Sequence, residues 1–189
     1  MEILKVENLR KEYGEGNSKV IALDGVNLEI ERGEFVAIVG PSGSGKSTFL
    51  HIIGGVDSPD DGKVYIDGND ISKYSSKELA YFRRRKVGLI YQFYNLIQNL
   101  TVRHNIELPL KLDKRKINQD EFSDIVKKLG IESKLDSFPS ELSGGQQQRV
   151  AIARSLIYNP SIILADEPTG NLDRKNSKEI IEIFKYFNK

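Results

Sequence analysis

Gly40-Pro41-Ser42-Gly43-Ser44-Gly45-Lys46-Ser47-Thr48 fits the pattern G-x-x-x-x-G-K-[ST] at every fixed position. Its glycines let a backbone wrap a chain of phosphates with successive N–H groups turned inward. A helix starting near Lys46 adds its positive end to the same anion. Lys46 can reach the outer phosphates, and the Ser47 hydroxyl can ligate Mg2+. Just upstream, Phe35-Val36-Ala37-Ile38-Val39 is continuously apolar and predicts a strand buried on both faces that runs into the loop. Thr48-Phe49-Leu50 continues as helix, and strand, loop and helix in that order argue against a chance Gly/Ser turn.

Further along, Ile162-Ile163-Leu164-Ala165-Asp166-Glu167 is an apolar strand ending in adjacent carboxylates. By itself it reads as a strand followed by an acidic, Pro-containing turn. Beside a phosphate loop, Asp166 is placed to hold Mg2+, and Glu167 to polarise an attacking water as general base. Between these stretches the pattern is α/β. Ile3 to Leu9 and Val26 to Ile30 alternate apolar and polar residues, predicting half-buried strands near a sheet edge. Gly62 to Asp67 predicts a short strand closed by the Asp67-Gly68 turn, and Val87 to Tyr91 another ending at Gln92. Asn118-Gln119-Asp120-Glu121 fits a capping box, with Phe122, Ile125, Val126 and Leu129 at helical spacing and Gly130 as the stop. Thr101 to Leu110 is helix-like but interrupted by Pro109. Residues 93–159 thus read as a mainly helical subdomain inserted into the α/β core, which resumes with the strand Ser161 to Asp166.

The bulk composition narrows the classes of function. Lys plus Arg (28) nearly balances Asp plus Glu (27), so no strong field draws the 189-residue chain to nucleic acid. Arg83-Arg84-Arg85-Lys86 suits a solvated helix end better than a nucleic-acid or lipid patch. With no cysteine there are no disulfides or thiolate metal sites. The longest apolar runs are strand-sized, far short of the roughly 20 residues of a membrane helix. Met1-Glu2-Ile3 opens with no signal segment, so a role at a membrane would need another subunit to span it.

Leu142-Ser143-Gly144-Gly145-Gln146 has an ordinary reading, because Ser-x-x-Gln is a capping box and Val150, Ala153 and Ile157 follow on one helical face. A helix start with paired glycines also presents bare N–H groups and a hydroxyl to an anion. Local physics does not account for Gln147-Gln148-Arg149 and Ala151-Ile152-Ala153-Arg154 after it. With that continuation the segment resembles the signature helix of ABC transporter ATPases, and the resemblance runs from Met1 to Lys189. It implies a P-loop NTPase (RecA-like) core with an N-terminal antiparallel β subdomain and a helical insert, as one domain. Its parts are 1–92 (β subdomain and first part of the core), 93–159 (helical subdomain) and 160–189 (Walker-B part).

The resemblance implies an ATPase that powers an export or extrusion complex with ATP and Mg2+. Residues Gly40 to Thr48 would hold ATP, that is Gly40, Pro41, Ser42, Gly43, Ser44, Gly45, Lys46, Ser47 and Thr48, with Tyr13 stacking on adenine beside Val20. Lys46, Gln92 and Glu167 would be catalytic, and Ser47, Gln92 and Asp166 would hold the metal. Ser143, Gly144, Gly145 and Gln146 would close over the γ-phosphate of a second, head-to-tail ATPase subunit, with Asp173 in the D-loop that crosses the interface. The partners implied are that second subunit and transmembrane permease subunits, with no nucleic acid; the location implied is cytoplasmic, peripheral on the inner face of the membrane. Tyr91 to Ile97, Leu100 to Leu110, Gly54-Gly55-Val56-Asp57 and Thr169 to Asp173 look like the branch that serves lipoprotein release, macrolide export and antimicrobial-peptide export.

The family pattern also has a switch histidine on a strand after the Walker-B helix. Here the only histidines are His51, in the helix after the phosphate loop, and His104, in the helical insert. The expectation is therefore a C-terminally incomplete form, with the C-terminal strands missing, that hydrolyses ATP poorly. A nucleotide-gated dimerisation module without turnover and a soluble non-transport ABC ATPase stay open as alternatives.

Overall fold

The computed structural model describes Met1–Asn188; Lys189, the last position of the expected Walker-B part, lies outside the described residues. The chain divides into two compact units, Met1–Arg83 with Asn188 and Arg84–Phe187.

The first unit is built on β1 (Glu2–Tyr13), β2 (Val20–Glu31), β3 (Asp61–Ile66) and β4 (Asn69–Asp70), an antiparallel sheet in the order β2-β1-β3-β4. The strands expected over Ile3 to Leu9, Val26 to Ile30 and Gly62 to Asp67 are present, and β1 and β2 run beyond the alternating stretches that predicted them. β2 takes the edge, as the alternation implies. β1 does not: β2 and β3 pair with its two sides, and Ile3, Leu4, Val6 and Leu9 are buried. Asp67-Gly68 makes the expected turn between β3 and β4, both residues having positive φ (50° and 75°), the combination a tight primed hairpin turn needs. Helix α1 (Lys46–Ile53) buries Phe49, Ile52 and Ile53.

Phe35–Val39 corrects the sequence reading. It forms no strand, and Phe35, Val36, Ile38 and Val39 are all exposed, Val39 at 87%. An apolar run becomes a strand only when a neighbour supplies ladder partners for its N–H and C=O groups. Among the described residues no strand pairs with this segment.

Helix α2 (Ser76–Lys86) contains the boundary between the units. The second unit has a parallel pair, β5 (Val87–Tyr91) and β6 (Ile162–Asp166), and the helices α3 (Val102–Leu112), α4 (Gln119–Leu129), α5 (Gly144–Leu156) and α6 (Arg174–Phe187). Asn118 caps α4 and supplies its half of the expected capping box, its side chain accepting from the N–H groups of Asp120 and Glu121. Pro109 does not interrupt α3, which continues to Leu112. The ring removes one backbone donor, but Val102, Ile106 and Leu110 remain buried on one face in the core and hold the helix on course. Val126, Leu129, Val150, Ile152, Ile180 and Phe184 pack into the same core. Asn105, fully buried, is held by the segment before α3: it accepts from Ile97 N–H and donates to the carbonyls of Ile97, Leu100 and Thr101.

Candidate functional site

The expected site residues fall into two sets, one in each unit. In the first unit, Gly45 caps α1 with φ 85°, and a Cβ there would lie 2.3 Å from the Ala22 carbonyl oxygen of β2. Only glycine can take that turn so close to the sheet. The loop closes round Lys46, whose Nζ donates to the carbonyls of Gly40 (3.0 Å) and Pro41 (2.8 Å). Ser47 and Thr48 follow in the first turn of α1.

Tyr13, at the end of β1, is Val20's direct cross-strand neighbour, so these expected nucleotide contacts are side by side. The Tyr13 hydroxyl donates to Asp57 Oδ2 at 2.7 Å and also shares a hydrogen bond with the Thr48 side chain. Lys11 Nζ donates to Asp57 Oδ1 (3.2 Å) and to the Ser58 carbonyl (2.7 Å), and it lies 5.2 Å from the centre of the Tyr13 ring. Partial burial opposes ionisation of Asp57, but the bonds from Tyr13, the Ser58 N–H and Lys11 outweigh it and hold the carboxyl below its usual range. Burial, then the bond to Asp57, raises the Tyr13 hydroxyl. Lys11 went unremarked in the sequence, and Asp57 only as part of a softer motif. Lys11 is a lysine on an otherwise apolar–polar alternating strand, and nothing local marks it as buried.

In the second unit, Asp166 ends β6 in direct register with Tyr91, the last residue of β5, so Gln92 and Asp166 emerge at the same edge of the parallel pair. Ligands gather at the carboxyl ends of parallel strands. Glu167 follows, exposed and with φ 46°, a backbone conformation that costs a non-glycine residue energy and is typical of functional turns. Gln92 Nε2 donates to Asn171 Oδ1 at 3.3 Å, and Asn171 Nδ2 donates to the Gln92 carbonyl at 3.1 Å.

Both halves of the expected capping box at Leu142–Gln146 are present. Ser143 Oγ accepts from Gln146 N–H (3.3 Å), and Ser143 N–H donates to Gln146 Oε1 (2.9 Å). The N–H groups of Gly144 and Gly145 open α5 without intrahelical acceptors. A Cβ on Gly145 would lie 2.6 Å from Asn176 Oδ1, so a larger residue there would have to displace the Asn176 amide. Asp173 caps α6, accepting from Asn176 N–H (2.9 Å) and Asn176 Nδ2 (2.7 Å); those bonds lower its carboxyl. Arg154, also on α5, donates to the carbonyls of Tyr94 and Asn95, tying the segment after Gln92 to the signature helix. Gln148, fully buried, donates to the Pro168 carbonyl at 2.7 Å.

Ser47, Gln92 and Asp166 all offer oxygen. Among the described residues no cluster of His, Cys, Asp and Glu forms a metal cage. The oxygens of Ser47, Gln92 and Asp166 are of the donor type that a hard cation such as Mg2+ takes.

Residues 23–170 match the family model described as ABC transporter. The chain is 47% identical over 186 residues to the macrolide export ATP-binding/permease protein MacB of Bdellovibrio bacteriovorus, covering 98% of this chain and 29% of that protein. It is 44% identical over 183 residues to the bacitracin export ATP-binding protein BceA of Halalkalibacterium halodurans, covering 96% of this chain and 72% of that protein. Its fold matches the ATP-binding cassette MJ0796, solved as a dimer in a post-hydrolysis state with ADP and Pi, at a TM-score of 0.89 and 45% identity over 98% of this chain and 83% of that one. No helix among the described residues is long and apolar enough to cross a membrane.

Proposed function

The chain belongs to the ABC transporter family of ATP-binding cassettes, and on that premise we propose that it binds and hydrolyses ATP to drive an export complex through head-to-tail dimerisation. Gly40 to Thr48 bind the phosphates, with Lys46 on the outer ones, and Tyr13 and Val20 receive the adenine. Gln92, Asp166 and Ser47 hold Mg2+, which when bound supplies positive charge against the phosphates. Glu167 takes the proton of the attacking water as general base. Ser143, Gly144, Gly145 and Gln146 of one copy act on the nucleotide of the other, and Asp173 lies in the segment between the copies. Transmembrane permease subunits are the mechanical partners, and the ATPase sits peripherally on the inner face of the membrane. The reading as an exporter subunit draws on the export roles named for MacB and BceA.

The observation that carries this reading is the strand-end arrangement. Tyr91 and Asp166 pair in register, so an amide and a carboxylate leave adjacent parallel strands together, with Glu167 next in sequence. The test compares this chain with its Glu167→Gln variant. Wild type should turn over ATP, though slowly, since neither His51 nor His104 takes the place of the family's switch histidine. The variant should keep ATP affinity, dimerise with ATP and lose turnover by roughly 10²- to 10⁴-fold, the usual worth of a general base. A chain that stays monomeric with ATP in both forms would sink the composite-site reading. ATP-driven dimerisation without turnover in wild type would favour a nucleotide-gated module.

A further inference from the structure

We propose that Asn171 is a positioning residue that points the Gln92 side-chain oxygen at the cation site. The inference rests on the reading above, in which Gln92 is a metal ligand. An amide side chain has a donor end and an acceptor end, and only the oxygen can bind a hard cation. Left to rotate, Gln92 would offer its NH2 as readily as its oxygen.

The pairing with Asn171 removes that freedom. Gln92 Nε2 donates to Asn171 Oδ1, so the NH2 end is engaged and Oε1 is the end left to coordinate. Asn171 is itself oriented, because its Nδ2 donates to the Gln92 backbone carbonyl. Turning the Asn171 amide over would set NH2 against NH2 and oxygen against carbonyl, losing both bonds. Each amide therefore fixes the other. This is the role that outer hydrogen-bond partners play for metal ligands generally.

The neighbouring glycine supports the same arrangement. A Cβ on Gly170 would stand 2.8 Å from Gln92 Nε2 and 3.2 Å from its Cδ. The Gln92 side chain lies across a bare Cα, and any larger residue at 170 would push it off Asn171. Gly170 N–H also donates to the Glu167 carbonyl at 3.0 Å. One turn thus orients the cation ligand and shapes the backbone of the general base. The carbonyls just after Gln92 are tied separately by Arg154, so loss of Asn171 should free the side chain without releasing the segment.

The test reads cation binding without turnover. Mn2+ is titrated into ATP-loaded protein and followed by electron paramagnetic resonance, alongside ATP affinity in EDTA and the melting temperature. Asn171→Leu should weaken Mn2+ binding by about tenfold, the lower end of the range for outer-shell partners, with ATP affinity in EDTA unchanged. Asn171→Asp keeps an acceptor for Gln92 Nε2 but loses the donor to the Gln92 carbonyl, so it should weaken Mn2+ binding less than Asn171→Leu does. Gly170→Ala should reproduce the loss with Asn171 intact, and it carries the test should Asn171→Leu not fold. A folded Asn171→Leu or Gly170→Ala protein with wild-type Mn2+ affinity overturns the proposal. Gln92→Ala separates the two levels: if it weakens Mn2+ binding and Asn171→Leu does not, only the positioning role falls. If Gln92→Ala binds Mn2+ as wild type does, the assignment of Gln92 as a ligand falls with it.

Discussion

The hydroxyl of Tyr13 donates to Asp57 Oδ2 at 2.7 Å, across 44 positions of sequence. Lys11 reinforces the pair from the side, bonding Asp57 and lying over the Tyr13 ring. The ring is therefore held at its hydroxyl end and attended on a face before any ligand arrives. An aromatic fixed in advance loses little entropy when a base stacks on it.

It follows that Tyr13→Ala should weaken ATP binding roughly tenfold, within the 1–3 kcal/mol that base–aromatic stacking is worth. Asp57→Ala should weaken it by a smaller factor, since the ring survives but its anchor does not. Isothermal titration with ATP compares them. Asp57→Ala binding with wild-type affinity would show that the anchor is irrelevant to the ligand.

The same carboxylate makes the first unit acid-sensitive. Asp57 is lowered in the folded state from its ordinary value of 3.8. Its contribution is therefore present in full above that value and disappears as the pH falls through the lower folded value. The melting-temperature gap between wild type and Asp57→Asn should be constant from neutrality to about pH 5 and shrink below pH 4. A gap that widens on acidification would contradict the sign.

Gly45→Ala should destabilise the first unit by at least about 2 kcal/mol. A left-handed conformation costs an L-residue roughly 1–2 kcal/mol, and the new Cβ would also meet the Ala22 carbonyl oxygen at 2.3 Å. Urea unfolding followed through the β-sheet signal measures the loss. Little change would mean that α1 can shift away from β2 at no cost.

Gln148→Leu takes the donor from the half-buried Pro168 carbonyl but also removes the buried, unpartnered Gln148 Oε1, so the net cost should be about 1 kcal/mol, the low end for a lost hydrogen-bond partner. Because Pro168 follows Glu167 directly, turnover should fall further than stability alone explains. Thermal melts and steady-state ATPase rates on the same preparation separate the effects. A stability loss with unchanged turnover would confine Gln148 to packing.

Much of this protein is legible one segment at a time. The phosphate loop, the signature capping box, the Asn118 cap and the Asp67-Gly68 turn depend on residues within a few positions of one another, and local sterics and hydrogen bonding suffice to fix them. β5 and β6 are nearly as plain, because a short apolar run bounded by polar residues is a local signal as well. The misreadings have a common source. Phe35–Val39 reads as a buried strand, yet burial requires partners that a segment does not carry in itself. β1 reads as an edge strand because alternation reports one covered face and says nothing about which neighbours lie beside it. Pro109 reads as a break until the core on the other face of α3 outweighs one lost donor.

The chemistry-bearing pairs were out of reach for the same reason. Gln92 and Asn171 stand 79 positions apart, as do Tyr13 and Asp57 at 44, and no propensity or spacing links them. The amino-acid sequence by itself determined which groups this protein brings to a nucleotide. Only the tertiary structure decided which way those groups are held, because orientation comes from hydrogen bonds between segments that meet after the chain has folded.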